Sequence, residues 1–310
     1  MNKDSKILIV GADDIIERAL SAYFNKEGFS HVWSSSKMGL NCAIQPSVYE
    51  FFQNNRPEYV FLSSTRCGGI GANLASPADF IYHNLESQNN VVYSAWKFGV
   101  KKLLYYASSC IYPQYALQPM AEESILQGSV EETSEPYAVA KIAGVKLCQA
   151  FRRQYGLNAV VAVPATIYGP MPSEDFTKSH VIGALLAKFR EAVVNKFSSV
   201  TVLGTGDPRR EFLYSDDLVD ASMFLMANYN GESAVNVGSK EEVSIKELAQ
   251  LIAQAVGFQG TIQYDSSKPD GAKRKFLDSS KINRLGWKSK ITLKQGIALA
   301  ADTINKGAGV

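Results

Sequence analysis

The chain has 310 residues, 46% of them hydrophobic and 20% charged, enough to bury a sizeable core without disulfides or structural metals. A formal net charge of +2 argues against nucleic acid or a membrane surface as the main partner. Four scattered cysteines, Cys42, Cys67, Cys110 and Cys148, make neither a C-x-x-C pair nor a metal spacing with the three histidines, so they read as reduced thiols and no metal is expected.

The chain opens on "MNKDSK" and runs directly into the strand pattern "KILIV", with no apolar signal region. No apolar run approaches the ~20 residues of a membrane helix, so a soluble cytoplasmic protein is expected. Gly11 follows the first strand, and a helical pattern covers 14–26. Further strand patterns are "HVWSS", "EYVFLSS" (58–64), "KLLYYASS" (102–109) and "NAVVAVP" (158–164). Helical stretches at 47–54, 77–99 and 136–155 separate them. Apolar strands alternating with helices predict an α/β fold, a doubly wound parallel sheet of Rossmann type covered on both faces. Such a sheet binds its ligand at the carboxyl ends of the strands, where the strand order reverses.

After residue 165 the pattern loosens. Gly and Pro cluster at "IYGPMPSEDF" and "LGTGDPRREF". Helices are expected at 179–196, 215–228 and 244–257, extra strands at "VTVLG" and "SAVNVG", and a short helix in 278–287 ending at Gly286. The predicted organisation is a dinucleotide-binding domain over 1–165 and a smaller, mixed substrate lobe over 166–310, with some elements returning to the sheet.

The strongest local signal is "EPYAVAK", which places Tyr137 and Lys141 four residues apart on one helix face. A lysine ammonium beside a phenol favours the phenolate, so the tyrosine can exchange a proton near neutral pH. The same spacing also occurs on ordinary solvated helices. The preceding stretch "ASSCIYP" puts Ser108 and Ser109 at the end of a strand, where a hydroxyl can hold a substrate oxygen against the tyrosine.

Strand-end serine with helical tyrosine and lysine resembles the catalytic set of the short-chain dehydrogenase/reductase superfamily, in its extended branch. "GGIGAN", "SSCIYP", "EPYAVAKIAGVKLC", "SHVIGALLAKF", "LGTGDPRREFLYSDDL" and "KPDGAKRKFLD" narrow the resemblance to the GDP-L-fucose synthase family. They occur in that family's order and span most of the chain. The resemblance implies a GDP-sugar substrate, a GDP-4-keto-6-deoxymannose epimerised at C3 and C5 and reduced at C4 with NADP(H). It implies Cys110 and His180 as the acid and base of epimerisation, residue types suited to moving a proton beside a ketone. Cys110 also reads as a small apolar filler, and His180 as a polar residue near a helix start. Tyr137 would protonate the C4 oxygen, Ser108 would hold it, and Lys141 would tune Tyr137 and bind the nicotinamide ribose. Ser109, Lys188, Arg210 and Lys273 are the implied substrate contacts, with arginine suited to a diphosphate; Lys188 equally reads as an exposed helix charge, and "PDGAKRK" adds Arg274 and Lys275 beside Lys273, at least one of the three reading as merely solvated. A homodimer through the helix bearing Tyr137 and its predecessor is the superfamily's habit.

The chain departs from the family at its first turn. A G-x-x-G-x-x-G loop is expected, but only Gly11 remains, and Asp14 and Glu17 stand at the second and third glycines, with Asp13 beside them. Asp14-x-x-Glu17 reads as a capping box, and carboxylates at a helix N-terminus oppose a pyrophosphate. NADP(H) binding is therefore put in doubt. The second strand ends in "SSSK" rather than an acid, so Ser35, Ser36 and Lys37 are candidates for a 2′-phosphate, and a polar loop is the equal alternative. Gly11 and Pro164 complete the expected cofactor contacts, and Ile44 stands where an acid near the adenine is usual. Thr166 and Leu203 replace an asparagine and an aromatic residue near the substrate. The alternative function is a redox-silent relative, either an epimerase using Cys110 and His180 or a non-catalytic sugar-nucleotide-binding subunit.

Overall fold

The computed structural model describes residues 1–12, 14–63, 65–170, 181–268 and 270–306. In the first half β1 (Lys6–Val10), α1 (Ile15–Lys26), β2 (His31–Ser34), α2 (Ser35–Met38), α3 (Gln45–Asn55), β3 (Tyr59–Leu62), α4 (Ile70–Ala75), α5 (Pro77–Lys97), β4 (Lys102–Tyr106), α6 (Glu135–Tyr155) and β5 (Ala159–Pro164) follow in order. The second half holds β6 (Thr166–Tyr168), α7 (Val181–Val194), β7 (Ser199–Leu203), β8 (Arg209–Tyr214), α8 (Ser215–Asn228), β9 (Val235–Val237), β10 (Glu242–Ser244), α9 (Ile245–Val256), β11 (Thr261–Asp265), β12 (Arg274–Lys275), α10 (Ser280–Leu285) and α11 (Leu293–Lys306).

Six strands form one parallel sheet in the order β2-β1-β3-β4-β5-β9. The strands are near-continuous apolar runs because helices cover both faces, and Ile7, Leu8, Ile9, Val60, Phe61, Leu62, Leu103 and Leu104 are fully buried. From β1 the chain goes first to β2 on one side, then to β3 on the other. The order therefore reverses between β1 and β3, and a crevice opens above Gly11 and Ser63.

The long helices are bounded by ordinary end signals. Pro136 sits in the first turn of α6, and Gly156 ends it in the left-handed region, φ 72°. Ser244 and Glu247 form a reciprocal capping box on α9. In the second half β8 is the organising strand, pairing with β6, β10 and β12, while β7 pairs with β11. Around it lies a second core that includes Leu185, Phe189, Phe212, Leu248, Ile252 and Ile297. β9, α8 and α10 instead pack with the first core through Val235, Leu218 and Ile282.

Three local outcomes differ from the sequence pattern. The polar stretch 34–37 forms a helical turn, capped by the Ser34 hydroxyl, which accepts the Lys37 N–H at 3.3 Å. "GGIGAN" supplies helix α4, and "RREFLY" is a strand rather than a Gly/Pro loop. α11 is a further helix that the pattern reading did not include, although Thr292 and Gln295 cap its start reciprocally, at 3.0 and 3.3 Å.

Candidate active site

The carboxyl end of β4 carries the first group of functional side chains. Ser108 is extended and begins a 3-10 turn, Ser109–Ile111, its hydroxyl accepting the Cys110 N–H at 3.3 Å. This presents Ser108, Ser109 and Cys110, all half-buried, on one turn. α6 packs against that turn. Tyr137 stands in its first helical turn, edge-on to Phe80 at 6.2 Å, and Lys141 follows one turn later.

Lys141 is buried and tightly held. Its Nζ donates to the Tyr106 carbonyl at 2.7 Å and lies 4.7 Å from the centre of the Tyr105 ring. Burial pulls its ammonium down to about 8, against the opposing pull of Asp14. The Tyr105 hydroxyl donates to Gln88 Oε1 at 2.8 Å. α6 can come this close only because residue 144 is glycine: a β-carbon there would lie 2.2 Å from the Tyr105 oxygen and 2.5 Å from Gln88 Oε1.

Across the cleft Arg210 projects from β8. It is partly buried, and burial lowers its pKa, with Glu131, Cys110 and Asp270 acting the other way. Arg210 and Cys110 therefore lie within electrostatic reach of each other. Lys275 joins this group, 2.7 Å from Glu131. Asp270 organises the adjoining turn by accepting the Thr205 N–H at 2.9 Å and hydroxyl at 2.6 Å. Lys273 is exposed, its carbonyl accepting the Arg209 N–H at 2.9 Å, and Lys188 Nζ donates to the Thr201 carbonyl. Of the three basic residues in "PDGAKRK", Lys275 is the one directly opposite Arg210. Its place in the β12–β8 ladder, opposite Arg210, is invisible in the local pattern. His180 lies outside the described residues, as does Asp13.

The first turn differs from its sequence reading. Asp14 caps α1, its Oδ1 accepting the Glu17 N–H at 2.9 Å, and its Oδ2 accepting the Ser63 hydroxyl at 3.0 Å. This second bond crosses the strand-order reversal. Burial raises the Asp14 pKa, helped by the Glu17 carboxylate and opposed by the Glu17 N–H, the Ser63 hydroxyl and Lys141. Glu17 is buried and sends Oε1 sideways to the end of β2, where it accepts the Ser34 hydroxyl at 2.7 Å and the Ser36 N–H at 3.2 Å. Ser35 is buried too, exchanging hydrogen bonds with the Gly11 N–H and carbonyl at 3.1 and 3.2 Å. Of the expected 2′-phosphate set, Ser35 is thus committed to Gly11 and only Lys37 is fully exposed. Ile44 is exposed at the start of α3, Pro164 ends β5, and Leu203 is exposed at the end of β7.

The Tyr137–Lys141 helix meets the end of β4, the residue set that would suit the nicotinamide end of a dinucleotide. At the pyrophosphate end the carboxylates are engaged by N–H and O–H donors rather than pointing free into the turn. Residues 7–238 match the model of the NAD dependent epimerase/dehydratase family. The chain belongs to that family. Within it the chain belongs to the GDP-L-fucose synthases: it is 48% identical to a probable GDP-L-fucose synthase 1 of Oryza sativa subsp. japonica over 297 residues, 96% of this chain and 90% of that protein. Among solved structures it superposes on a GDP-6-OMe-4-keto-L-xylo-heptose reductase of C. jejuni with TM-score 0.91, at 34% identity and 99% coverage of both chains. An NADP-bound GDP-L-fucose synthetase of Naegleria fowleri matches with TM-score 0.91, at 26% identity, covering 99% of this chain and 95% of that one. No helix among the described residues is long and apolar enough to cross a membrane.

Proposed function

We propose that the chain is an NADP(H)-dependent enzyme that epimerises a GDP-4-keto-6-deoxyhexose at C3 and C5 and reduces it at C4. The observation that carries this reading is the meeting of Ser108 and Cys110 on one turn with the Tyr137–Lys141 face of α6, opposite Arg210. Membership of the GDP-L-fucose synthase family supports it. The doubt raised by Asp14 and Glu17 over the cofactor is corrected: an NADP-bound relative of the same fold supports NADP(H), and both acids are satisfied within the protein. The redox-silent alternative is not favoured.

In this reading Cys110 takes the proton α to the ketone while Arg210 stabilises the thiolate, and His180 returns a proton to the other face. NADPH supplies the hydride for C4. Tyr137 gives its phenolic proton to the C4 oxygen, which Ser108 holds, and Lys141 stabilises the phenolate left behind. Arg210 and Lys275 face the diphosphate. A homodimer through α5 and α6 goes with this reading. Tyr82 and Tyr93 on α5, and Val139 and Tyr155 on α6, are exposed apolar residues that such an interface would cover. A cytoplasmic site of action is part of the same proposal.

The test is NADPH titration followed by incubation with GDP-4-keto-6-deoxymannose in deuterated water. The expected result is NADPH oxidation matched to loss of the ketone, with deuterium at C3 and C5. Deuterium entry without NADPH oxidation would restore the redox-silent epimerase. Oxidation without deuterium would leave a 4-reductase alone, the kind of activity that the C. jejuni neighbour's name describes.

A further inference from the structure

Two buried polar side chains outside the reacting set tie the two walls of the cleft together. Asn236 stands in the middle of β9 between Val235 and Val237, fully buried. Its Oδ1 accepts the Tyr112 hydroxyl, and its Nδ2 donates to the Met120 carbonyl at 2.9 Å and the Asp278 carbonyl at 3.1 Å. Glu211 neighbours Arg210 on β8 and is also buried. Its Oε1 accepts the Lys240 N–H at 2.8 Å, and its Oε2 accepts the Leu277 N–H at 3.0 Å. The backbone makes room for it, because a β-carbon on Gly238 would lie 2.3 Å from Oε1.

Both hubs grip one segment, 276–278. The Met120 N–H donates to the Phe276 carbonyl at 2.7 Å, and the Asp278 N–H donates to the Met120 carbonyl at 2.9 Å. A continuous hydrogen-bonded path therefore leads from Tyr112, next to the Ser109–Ile111 turn, through Asn236 and residues 277–278 to Glu211 and the strand that bears Arg210. An apolar residue would fill position 236 of a buried strand at lower desolvation cost. What the amide adds is a fixed geometry between three segments.

We propose that Asn236 and Glu211 are positioning residues for the sugar-nucleotide reaction. Asn236, through Tyr112, sets the turn that carries Cys110, and Glu211 sets the strand that carries Arg210. The shared segment keeps the thiol and the diphosphate cation in one register. This rests on Cys110 being the proton-transfer base.

The experiment compares Tyr112→Phe, Glu211→Gln and Cys110→Ser, each confirmed folded by thermal melting. It measures deuterium entry into GDP-4-keto-6-deoxymannose at saturation and the Kd of GDP. Loss of a positioning hydrogen bond is expected to slow deuterium entry about tenfold in Tyr112→Phe while its GDP Kd stays within about twofold. Glu211→Gln is expected to raise the GDP Kd about tenfold with a smaller change in saturated exchange. A generally loosened fold would move both readouts together in both variants, and that result overturns the proposal. So does wild-type exchange in Tyr112→Phe or wild-type GDP binding in Glu211→Gln. If Cys110→Ser exchanges at the wild-type rate, the base assignment has failed. Tyr112→Phe is then read on C4 reduction, which uses Ser108 of the same turn. A loss of about tenfold there keeps the positioning role, and an unchanged rate removes it.

Discussion

Glu17 lies against Gly11, its β-carbon 2.9 Å and its carboxylate 3.0 Å from where a β-carbon on Gly11 would stand. The glycine at the end of β1 is therefore needed to admit an acid on α1. That acid then crosses to Ser34 and Ser36 and joins the first helix to the end of the second strand. Glu17→Ala removes the acceptor from a buried hydroxyl and a backbone N–H. The expected loss is roughly 1–3 kcal/mol of stability, read from urea unfolding as a lower midpoint. Glu17→Gln keeps one acceptor and should hold the NADPH Kd within about threefold, because the side chain faces β2.

In the proposed cofactor pose Asp14, at the N-terminus of α1, is the acid that faces the phosphates. It caps the N-terminus of α1, the place where an anion is favoured, and Glu17, Ser63, Lys141, Cys67 and Tyr106 are the groups that sense it. Its pKa is already raised, chiefly by burial, and a pyrophosphate alongside raises it further. NADPH binding should therefore take up a proton and strengthen as pH falls. Calorimetry in two buffers of different ionisation enthalpy reads the proton directly. Asp14→Asn should bind more tightly at pH 8 and lose most of the slope. A flat wild-type profile would contradict this.

In its proposed role Lys141 must be charged to stabilise the Tyr137 phenolate. With its ammonium pulled down to about 8 by burial, the charge is present below that pH and lost above it. C4 reduction at saturating substrate should thus fall as pH rises through about 8. Tyr137→Phe should lose about 10²–10⁴-fold in NADPH oxidation while deuterium entry at C3 and C5 persists, since that exchange involves no hydride. Parallel loss of both would place Tyr137 in the epimerisation as well.

Glu211 also gives the fold a pH dependence. Burial outweighs its backbone donors and pushes it up to about 7 from 4.5. The folded chain then holds a proton that the unfolded chain has released, so this contribution is complete below pH 4.5 and is lost as pH rises through about 7. The size is about 3 kcal/mol. Glu211→Gln should flatten the stability profile between these limits, measured by urea unfolding at several pH values.

The sequence by itself determined the parallel sheet, because strands such as "KILIV" and "KLLYY", buried on both faces, must be apolar throughout and so declare themselves locally. It determined the Tyr137–Lys141 face for the same reason: helical spacing is a local property. The capping role of Asp14 was also legible, since its partner Glu17 is three residues away. What only the tertiary structure decided are contacts between segments far apart in the chain. Glu17 is partnered by residues of β2, Lys275 joins Arg210 through a strand ladder, and Asn236 meets Tyr112 across the sheet's edge. The strands β8, β10 and β12 were illegible because polar residues serve them as well as apolar ones, and their pairing comes from packing around β8. The two acids at the first turn show the division most plainly: sequence gave their charge, but only the fold set where each carboxylate is directed.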